Sequence, residues 1–365
     1  MTLGVILAIG ESFTDLEEKG QASRLIDYNI KLYSQEFDEV FIFSYADEKW
    51  DLPPNCKLVA NKFHLNRFIY SFLMPFLNIK YFIKCDVIRS LQITGGISAV
   101  IAKLFLRKSF VVNYGYNYQD VAKLEGKSVQ SLLYPYVTSF VVRFASAVII
   151  TSNQFTKYVK SRYKKAKVVL LPNGVDIDLF KLKNEKRGKF INTLFVGRLE
   201  KEKNLEVFLR ALAKFDKVKF TLLGKGTQMR ALKELSKKLN VDIDFKGIIP
   251  YRDISKYYNE SELFVLPSVS EGNPKVLLEA QSSGLVCIAS NIPAHREIIT
   301  SDVNGILCSP TVNGFSQALK KVLTNYRFRR TISLAARKNA VENYNINVLL
   351  AKEIKLLKSI AREPK

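Results

Sequence analysis

Two doubly wound, parallel-sheet α/β domains are the fold the sequence predicts, and three observations predict it. The chain has 365 residues, more than one hydrophobic core usually accommodates. Short β-rich runs alternate with helix-length segments, and the alternation starts afresh halfway along the chain. Between the two runs lies a turn signal, Pro172-Asn173-Gly174-Val175-Asp176, followed by a lysine-rich stretch to Lys189 that reads as a linker.

Taken in order, strands are expected in the first half at Gly4–Ile9, Val40–Ser44, Val87–Leu91, Phe110–Asn113, Ala147–Thr151 and Val168–Leu171. Helices fit Ala22–Gln35, Ile97–Leu106 and Gln154–Tyr163. In the second half strands are expected at Thr193–Val196, Lys219–Leu223, Ile243–Lys246, Leu263–Leu266 and Val286–Ala289. Helices fit Asn204–Lys214, Thr227–Leu239, Asp253–Tyr258, Lys275–Ser283 and Phe315–Thr324. Sheets of this kind bind ligands in the crevice outside the carboxyl ends of their strands.

Composition narrows the function classes. With 47% hydrophobic and 25% charged residues the chain is globular. No apolar stretch suits a membrane span, and the run Leu3–Ile9 has no Lys or Arg before it, so it reads as a strand and not a signal peptide. Four cysteines without metal-type spacing suit a reducing cytoplasm, and two histidines exclude a multi-histidine metal site. The net charge is +22, and residues 51–175 carry 18 basic against 4 acidic side chains. A region that basic suits anionic lipid, nucleic acid or an anionic small substrate, or serves only solubility.

The chemistry-bearing segments lie in the second half. In Ser270-Glu271-Gly272-Asn273-Pro274-Lys275-Val276, Asn273 is a good helix N-cap and Pro274 suits the first helical position. The amides of Lys275 and Val276 then open an anion site, with Glu271 on the loop before the helix and Glu279 within it; Glu279, like Lys203, is expected at a crevice and not in a core. By spacing alone, a solvated Glu271 on the loop and a Glu279–Lys275 pair at i,i+4 explain these residues better than a ligand site does. Upstream, Gly197 allows close backbone approach, and Arg198 and Lys203 put two cations at a strand end. Gly224 and Gly226, and Gly247 with Ile248, form two more glycine turns at strand ends. Two Asp-x-Asp triplets, Asp176/Asp178 and Asp242/Asp244, are read as a turn and an exposed strand, not as metal sites.

These elements, in this order, resemble the retaining glycosyltransferases of family four, also called group one. The resemblance rests on Pro-Asn-Gly-Val-Asp, then Gly-Arg-Leu with a lysine five residues after the Arg. Leu-Gly-x-Gly follows, and then Glu-Gly-x-Pro with a second Glu eight residues on. It implies a GT-B fold: two Rossmann-like domains facing a central cleft. An amino-terminal, acceptor-binding domain would span 1–175 and a linker 176–189. A nucleotide-sugar-binding domain would span 190–344, and a helix over 345–365 would pack back on the first domain. It also implies that Arg198 and Lys203 hold the donor diphosphate, that Glu271 holds the transferred sugar and that Glu279 holds the ribose. Gly272, Asn273, Pro274, Lys275 and Val276 would contact sugar and phosphate. Gly197, Gly224, Gly226, Gly247 and Ile248 would complete the donor site. No metal and no resident cofactor are implied, since the basic pair replaces a divalent ion.

The first half departs from that family's pattern. Tyr114 and Tyr116 stand where a cleft histidine is usual, and the amino-terminal double glycine is reduced to Gly20. These three are the acceptor-side candidates. His64 is expected to be structural, within a helical stretch, and His295 to lie at the surface. Residues 63–82 interleave seven aromatics with Arg67 and Lys80, flanked by Lys62 and Lys84, and Pro75 is expected to kink or end the helix there. The stretch either covers the first sheet or contacts an anionic membrane. The reading is a cytoplasmic glycosyltransferase, at the inner face of the cell membrane if the basic region binds lipid. Its partners are a nucleotide sugar and a glycan or lipid-linked acceptor, with no nucleic acid expected. The alternatives are a sugar-nucleotide epimerase on the same fold and a non-catalytic basic protein binding nucleic acid or membrane.

Overall fold

The computed structural model describes residues 1–115, 118–124, 126, 128–182 and 191–363. Contacts divide the chain into two compact units, Met1–Pro172 with Val348–Lys365, and Asn173–Asn347. The divisions fall after Pro172 and Asn347, where the sequence reading placed them at 175 and 344. Half of the expected linker, 183–189, lies outside the described residues.

The first unit holds seven strands: β1 (Thr2–Ile6), β2 (Glu39–Phe43), β3 (Cys56–Val59), β4 (Val87–Ser90), β5 (Ser109–Tyr114), β6 (Ala147–Ile150) and β7 (Val168–Leu170). All pair in parallel, in the order β3-β2-β1-β4-β5-β6-β7. The run from β1 to β3 winds one way and the run from β4 to β7 the other, so the sheet is doubly wound. Because helices cover both faces, central strands are apolar at successive positions instead of alternating with polar ones. Along β2, Val40 and Ile42 enter one core layer while Phe41 and Phe43 enter the other.

One layer includes Phe13, Ala22 and Tyr33 and is closed by Leu349, Ile354, Leu357 and Ile360 of the helix Ile346–Arg362. Arg89 of β4 is buried beneath that helix, where its Nε donates to Glu353 at 2.7 Å. The Tyr33 hydroxyl donates to the same carboxylate. The opposite layer takes its residues from helices Arg67–Leu77, Gly96–Leu106 and Ser128–Phe144. Pro75 neither ends nor breaks the first of these, which runs on to Leu77. Proline has no amide to satisfy the carbonyl of Ser71 four residues back, and Ser98 Oγ donates to that carbonyl instead, at 2.7 Å.

The second unit repeats the plan with six parallel strands: β8 (Ile191–Val196), β9 (Val218–Leu223), β10 (Ile243–Gly247), β11 (Leu263–Leu266), β12 (Val286–Ser290) and β13 (Ile306–Cys308). Their order is β10-β9-β8-β11-β12-β13, so the winding reverses between β8 and β11. The expected parallel α/β architecture is therefore present in both units.

Candidate active site

In a doubly wound sheet the loops leaving the two strands at the reversal diverge, one passing over each face, and a crevice opens between them. Here those strands are β8 and β11, and they lead into Gly197–Lys203 and Pro267–Lys275, the two segments that carry most of the chemistry. Backbone bonds zip these loops to each other and to their neighbours. Val269 N donates to Glu202 O at 2.8 Å, Gly197 N to Leu223 O at 3.0 Å and Gly224 N to Gly247 O at 2.7 Å. Gly224 has φ +136, and a Cβ there would lie 1.9 Å from Gly197 O, so no other residue fits this turn.

At the centre, Lys203 Nζ donates to Glu271 Oε1 at 2.6 Å, with the two side chains only 14% and 13% exposed. Ser268 Oγ donates to the same carboxylate oxygen at 2.7 Å. Burial works against ionisation of Glu271, but the Lys203 ammonium, its hydrogen bond, the field at His295 and the Ser268 hydroxyl outweigh it. The net effect holds the carboxyl below its ordinary range. Lys203 has three donors, so it can keep Glu271 and still reach an anion. Arg198 is 60% exposed and donates from Nη2 to Glu202 at 3.1 Å.

The helix after Glu271 starts at Lys275, as its expected range has it, but its cap lies one residue later than expected. Pro274 is the N-cap and the helix spans Lys275–Ser282. Asn273 does not cap it, because its Oδ1 accepts from Asn173 N at 2.9 Å while Asn173 Nδ2 donates to Asn273 O at 2.6 Å. Asn173 is thereby tied to the helix start, a function its sequence did not disclose. Glu279, expected at a crevice, is 1% exposed. Its Oε2 accepts from the Tyr258 hydroxyl at 2.8 Å, so the carboxylate is oriented by a ring of the helix Tyr251–Asn259. Ile248 is exposed just beyond β10, beside Gly247.

His295 is a correction. It was expected at the surface and is fully buried. Its Nδ1 lies 2.8 Å from Ser290 O, and since a carbonyl only accepts, Nδ1 carries the proton. Nε2 is buried without a hydrogen-bond partner among the described residues. Burial pushes this imidazole below its ordinary pKa, the Glu271 carboxylate and the Ser290 carbonyl oppose the shift, and Lys203 adds to it. The missed signal was the apolar company, Ile292, Pro293 and Ala294, directly after a buried strand.

The two aspartate triplets have local explanations. Asp176 Oδ1 accepts from the amides of Asp178 and Leu179, and Asp244 pairs with Lys246 at 2.8 Å. The acceptor-side candidates fall in the first unit. Gly20 has φ +66 and its amide donates to Glu17 O at 2.8 Å, closing the helix Phe13–Glu18. Tyr114 is a core ring, packed edge-on against Phe155 and stacked on Tyr158. Tyr116 lies outside the described residues. His64 is not helical: it sits on an exposed turn with φ +49, its Nε2 3.8 Å from Asp47.

The chain is similar to known proteins in sequence and in fold. Residues 176–339 match the family model described as "Glycosyl transferases group 1". The UDP-Gal:alpha-D-GlcNAc-diphosphoundecaprenol alpha-1,3-galactosyltransferase of Escherichia coli is 30% identical over 291 residues, 72% of each chain. The GalNAc-alpha-(1->4)-GalNAc-alpha-(1->3)-diNAcBac-PP-undecaprenol alpha-1,4-N-acetyl-D-galactosaminyltransferase of Campylobacter jejuni is 24% identical over 286 residues, 76% of each chain. Among solved structures, sucrose-phosphate synthase from Thermosynechococcus elongatus has a TM-score of 0.85 at 18% identity, covering 99% of both chains. That last likeness is one of fold.

Proposed function

The chain belongs to the glycosyl transferases group 1 family and has the GT-B fold, and on that premise we propose that it is a retaining hexosyltransferase using a nucleoside-diphosphate sugar. The observation that carries this reading is the buried Lys203–Glu271 pair at the strand-order reversal, with the Arg198 guanidinium at the end of the same strand. In this reading Arg198 and Lys203 grip the diphosphate and meet the charge that develops on it as its bond to the sugar carbon breaks. The start of the helix Lys275–Ser282 adds backbone donors and the positive end of its dipole. Glu271 accepts from hydroxyls of the transferred sugar, and Glu279, held by Tyr258, from those of the ribose. Gly197, Gly224 and Gly226 let the backbone approach, and Gly247 with the exposed Ile248 borders the base.

The reading needs no resident cofactor or metal, because the two cations supply the positive charge. The acceptor is taken to be lipid-linked, as the names of both bacterial relatives carry an undecaprenol diphosphate. In this reading the reaction takes place at the cytoplasmic face of the cell membrane, in surface polysaccharide or glycolipid assembly.

The test is transfer from a panel of nucleotide sugars to an undecaprenyl-diphosphate-linked sugar in the presence of a chelator, with the new linkage read by NMR. One donor should yield a glycosylated lipid with its anomeric configuration kept. Inversion, or strict dependence on added divalent metal, would exclude the mechanism. A changed sugar nucleotide formed without acceptor would favour an epimerase.

A further inference from the structure

The helical layer on one side of the first sheet presents apolar side chains in two directions. In the helix Arg67–Leu77, Tyr70 and Met74 point into the core, while Phe68, Ile69, Phe72, Leu73 and Phe76 are exposed. These five recur at helical spacing and form one outward stripe. The helix Ser128–Phe144 repeats the arrangement: Val141 and Val142 are buried, while Val129, Leu132, Leu133, Tyr136 and Phe140 are exposed, Val129 and Tyr136 to 73% and 71%.

Between these two stands the helix Gly96–Leu106, and both pack on it. Ser98 bonds the backbone of the first helix, and a Cβ on Gly96 would lie 2.4 Å from Val141 of the other. Its own last turn exposes Leu104 and Phe105, and the Phe105 ring lies 5.2 Å from that of Phe76. The outward stripes therefore stand on one closely packed platform. Ten large apolar side chains exposed by about half present on the order of several hundred Å² of apolar surface, more than soluble proteins leave uncovered without a use.

Charge names the occupant. None of the three helices contains an acidic residue. Lys62 and Arg67 stand at one end of the first stripe and Lys80 and Lys84 beyond the other, with no carboxylate in 62–84 itself; Glu39 reaches Lys84 from outside the segment, at 3.8 Å. Among the described residues no helix is long and apolar enough to cross a membrane, so such a surface lies on a bilayer and does not span it.

We propose that the exposed faces of helices Arg67–Leu77 and Ser128–Phe144 are a membrane-docking surface that seats this unit on an anionic leaflet. The phenylalanines and leucines enter the acyl boundary and the cations meet lipid phosphates. Its relevance to catalysis rests on the lipid-linked acceptor proposed above, but the surface itself does not involve the donor site.

Co-flotation tests it, using vesicles of phosphatidylcholine alone and of phosphatidylcholine mixed in equal parts with phosphatidylglycerol. The protein should float with the anionic vesicles and at least tenfold less with the neutral ones. High salt should weaken the binding as the Debye length falls from about 10 Å to about 3 Å. Phe72→Ser with Leu132→Ser, and separately Gln at Lys62, Arg67, Lys80 and Lys84, should each reduce flotation at least tenfold. Both variants should melt cooperatively and bind a nucleotide sugar as the wild type does. Equal flotation of wild type and both variants would overturn the assignment. So would a wild-type dimer that ignores vesicles and dissociates on Phe72→Ser, since the face would then belong to a second copy. Failure of nucleotide-sugar binding in the wild type, with flotation intact, would count against the transferase reading and leave this surface standing.

Discussion

The two units share a doubly wound parallel sheet and treat their polar and apolar groups in opposite ways. At the reversal of the second sheet, charge is drawn inward: Lys203, Glu271 and Glu279 are buried or nearly so, each with a named partner. On the helical layer of the first sheet, apolar side chains are turned outward along two helices. Each choice costs folding free energy that a purely structural unit would not incur. The same scaffold thus carries a polar site at its strand ends in one unit and an apolar surface on its helices in the other.

The largest effect should come from splitting the inward-drawn charge. Lys203→Ala leaves the Glu271 carboxylate buried without its ammonium and should cost about 3–5 kcal/mol in denaturant unfolding, with transfer abolished. The double variant Lys203→Met, Glu271→Gln should recover most of that stability and none of the activity. Recovery of activity would show the pair to be structural.

A comparable charge pair in the first unit provides the contrast. Glu353→Ala strips Arg89 of its buried partner and should also cost about 3–5 kcal/mol. Donor binding should stay at the wild-type level, because no residue of the donor site is involved. A loss of donor affinity in folded protein would break the separation drawn between the units.

Arg198→Lys should be smaller still in stability, within about 1 kcal/mol, because the side chain is 60% exposed and its ion pair is of the surface kind. Transfer should fall on the order of tenfold, about 1.4 kcal/mol of transition-state binding, since a point charge lacks the bidentate grip of a guanidinium. Unchanged kcat/KM would remove Arg198 from the site.

The smallest expected effect is on pH dependence. His295 is held below its ordinary pKa in the fold, so below about pH 6.5 the unfolded chain binds the extra proton and stability falls as pH falls. Glu271, also held low, adds a second loss of the same sign at more acid pH, as pH drops through its folded pKa. Urea unfolding of His295→Leu between pH 5 and 7 should show a flatter profile than the wild type. An unchanged slope would contradict the buried neutral imidazole.

Legibility in the sequence followed burial and distance along the chain. The central strands were readable because both faces are covered and each is a continuous apolar run. Edge strands β3 and β13 were not, being short and partly exposed. The helix Ser128–Phe144 went unread for a physical reason: its outward stripe is as apolar as its inward one, and Pro135 lies inside it, so the usual periodicity is flattened. Arg198, Lys203, Glu271 and Glu279 were legible as candidates because they sit in local motifs whose order along the chain carries the family resemblance. Their partners Ser268 and Tyr258 were not, nor was the Arg89–Glu353 bond across 264 residues. Those contacts depend on how elements pack, and no local pattern encodes that.

The central claim is that the loops after β8 and β11 form a nucleotide-sugar site, and ligand-induced stabilisation tests it most directly. Melting curves of the wild type and of the Lys203→Met, Glu271→Gln double variant would be recorded against a panel of nucleoside-diphosphate sugars. The account predicts that one of them, at about 100 times its dissociation constant, stabilises the wild type by about 2.7 kcal/mol and leaves the double variant unmoved. A cooperatively melting wild type that responds to none of the panel, or a double variant that responds equally, would contradict it.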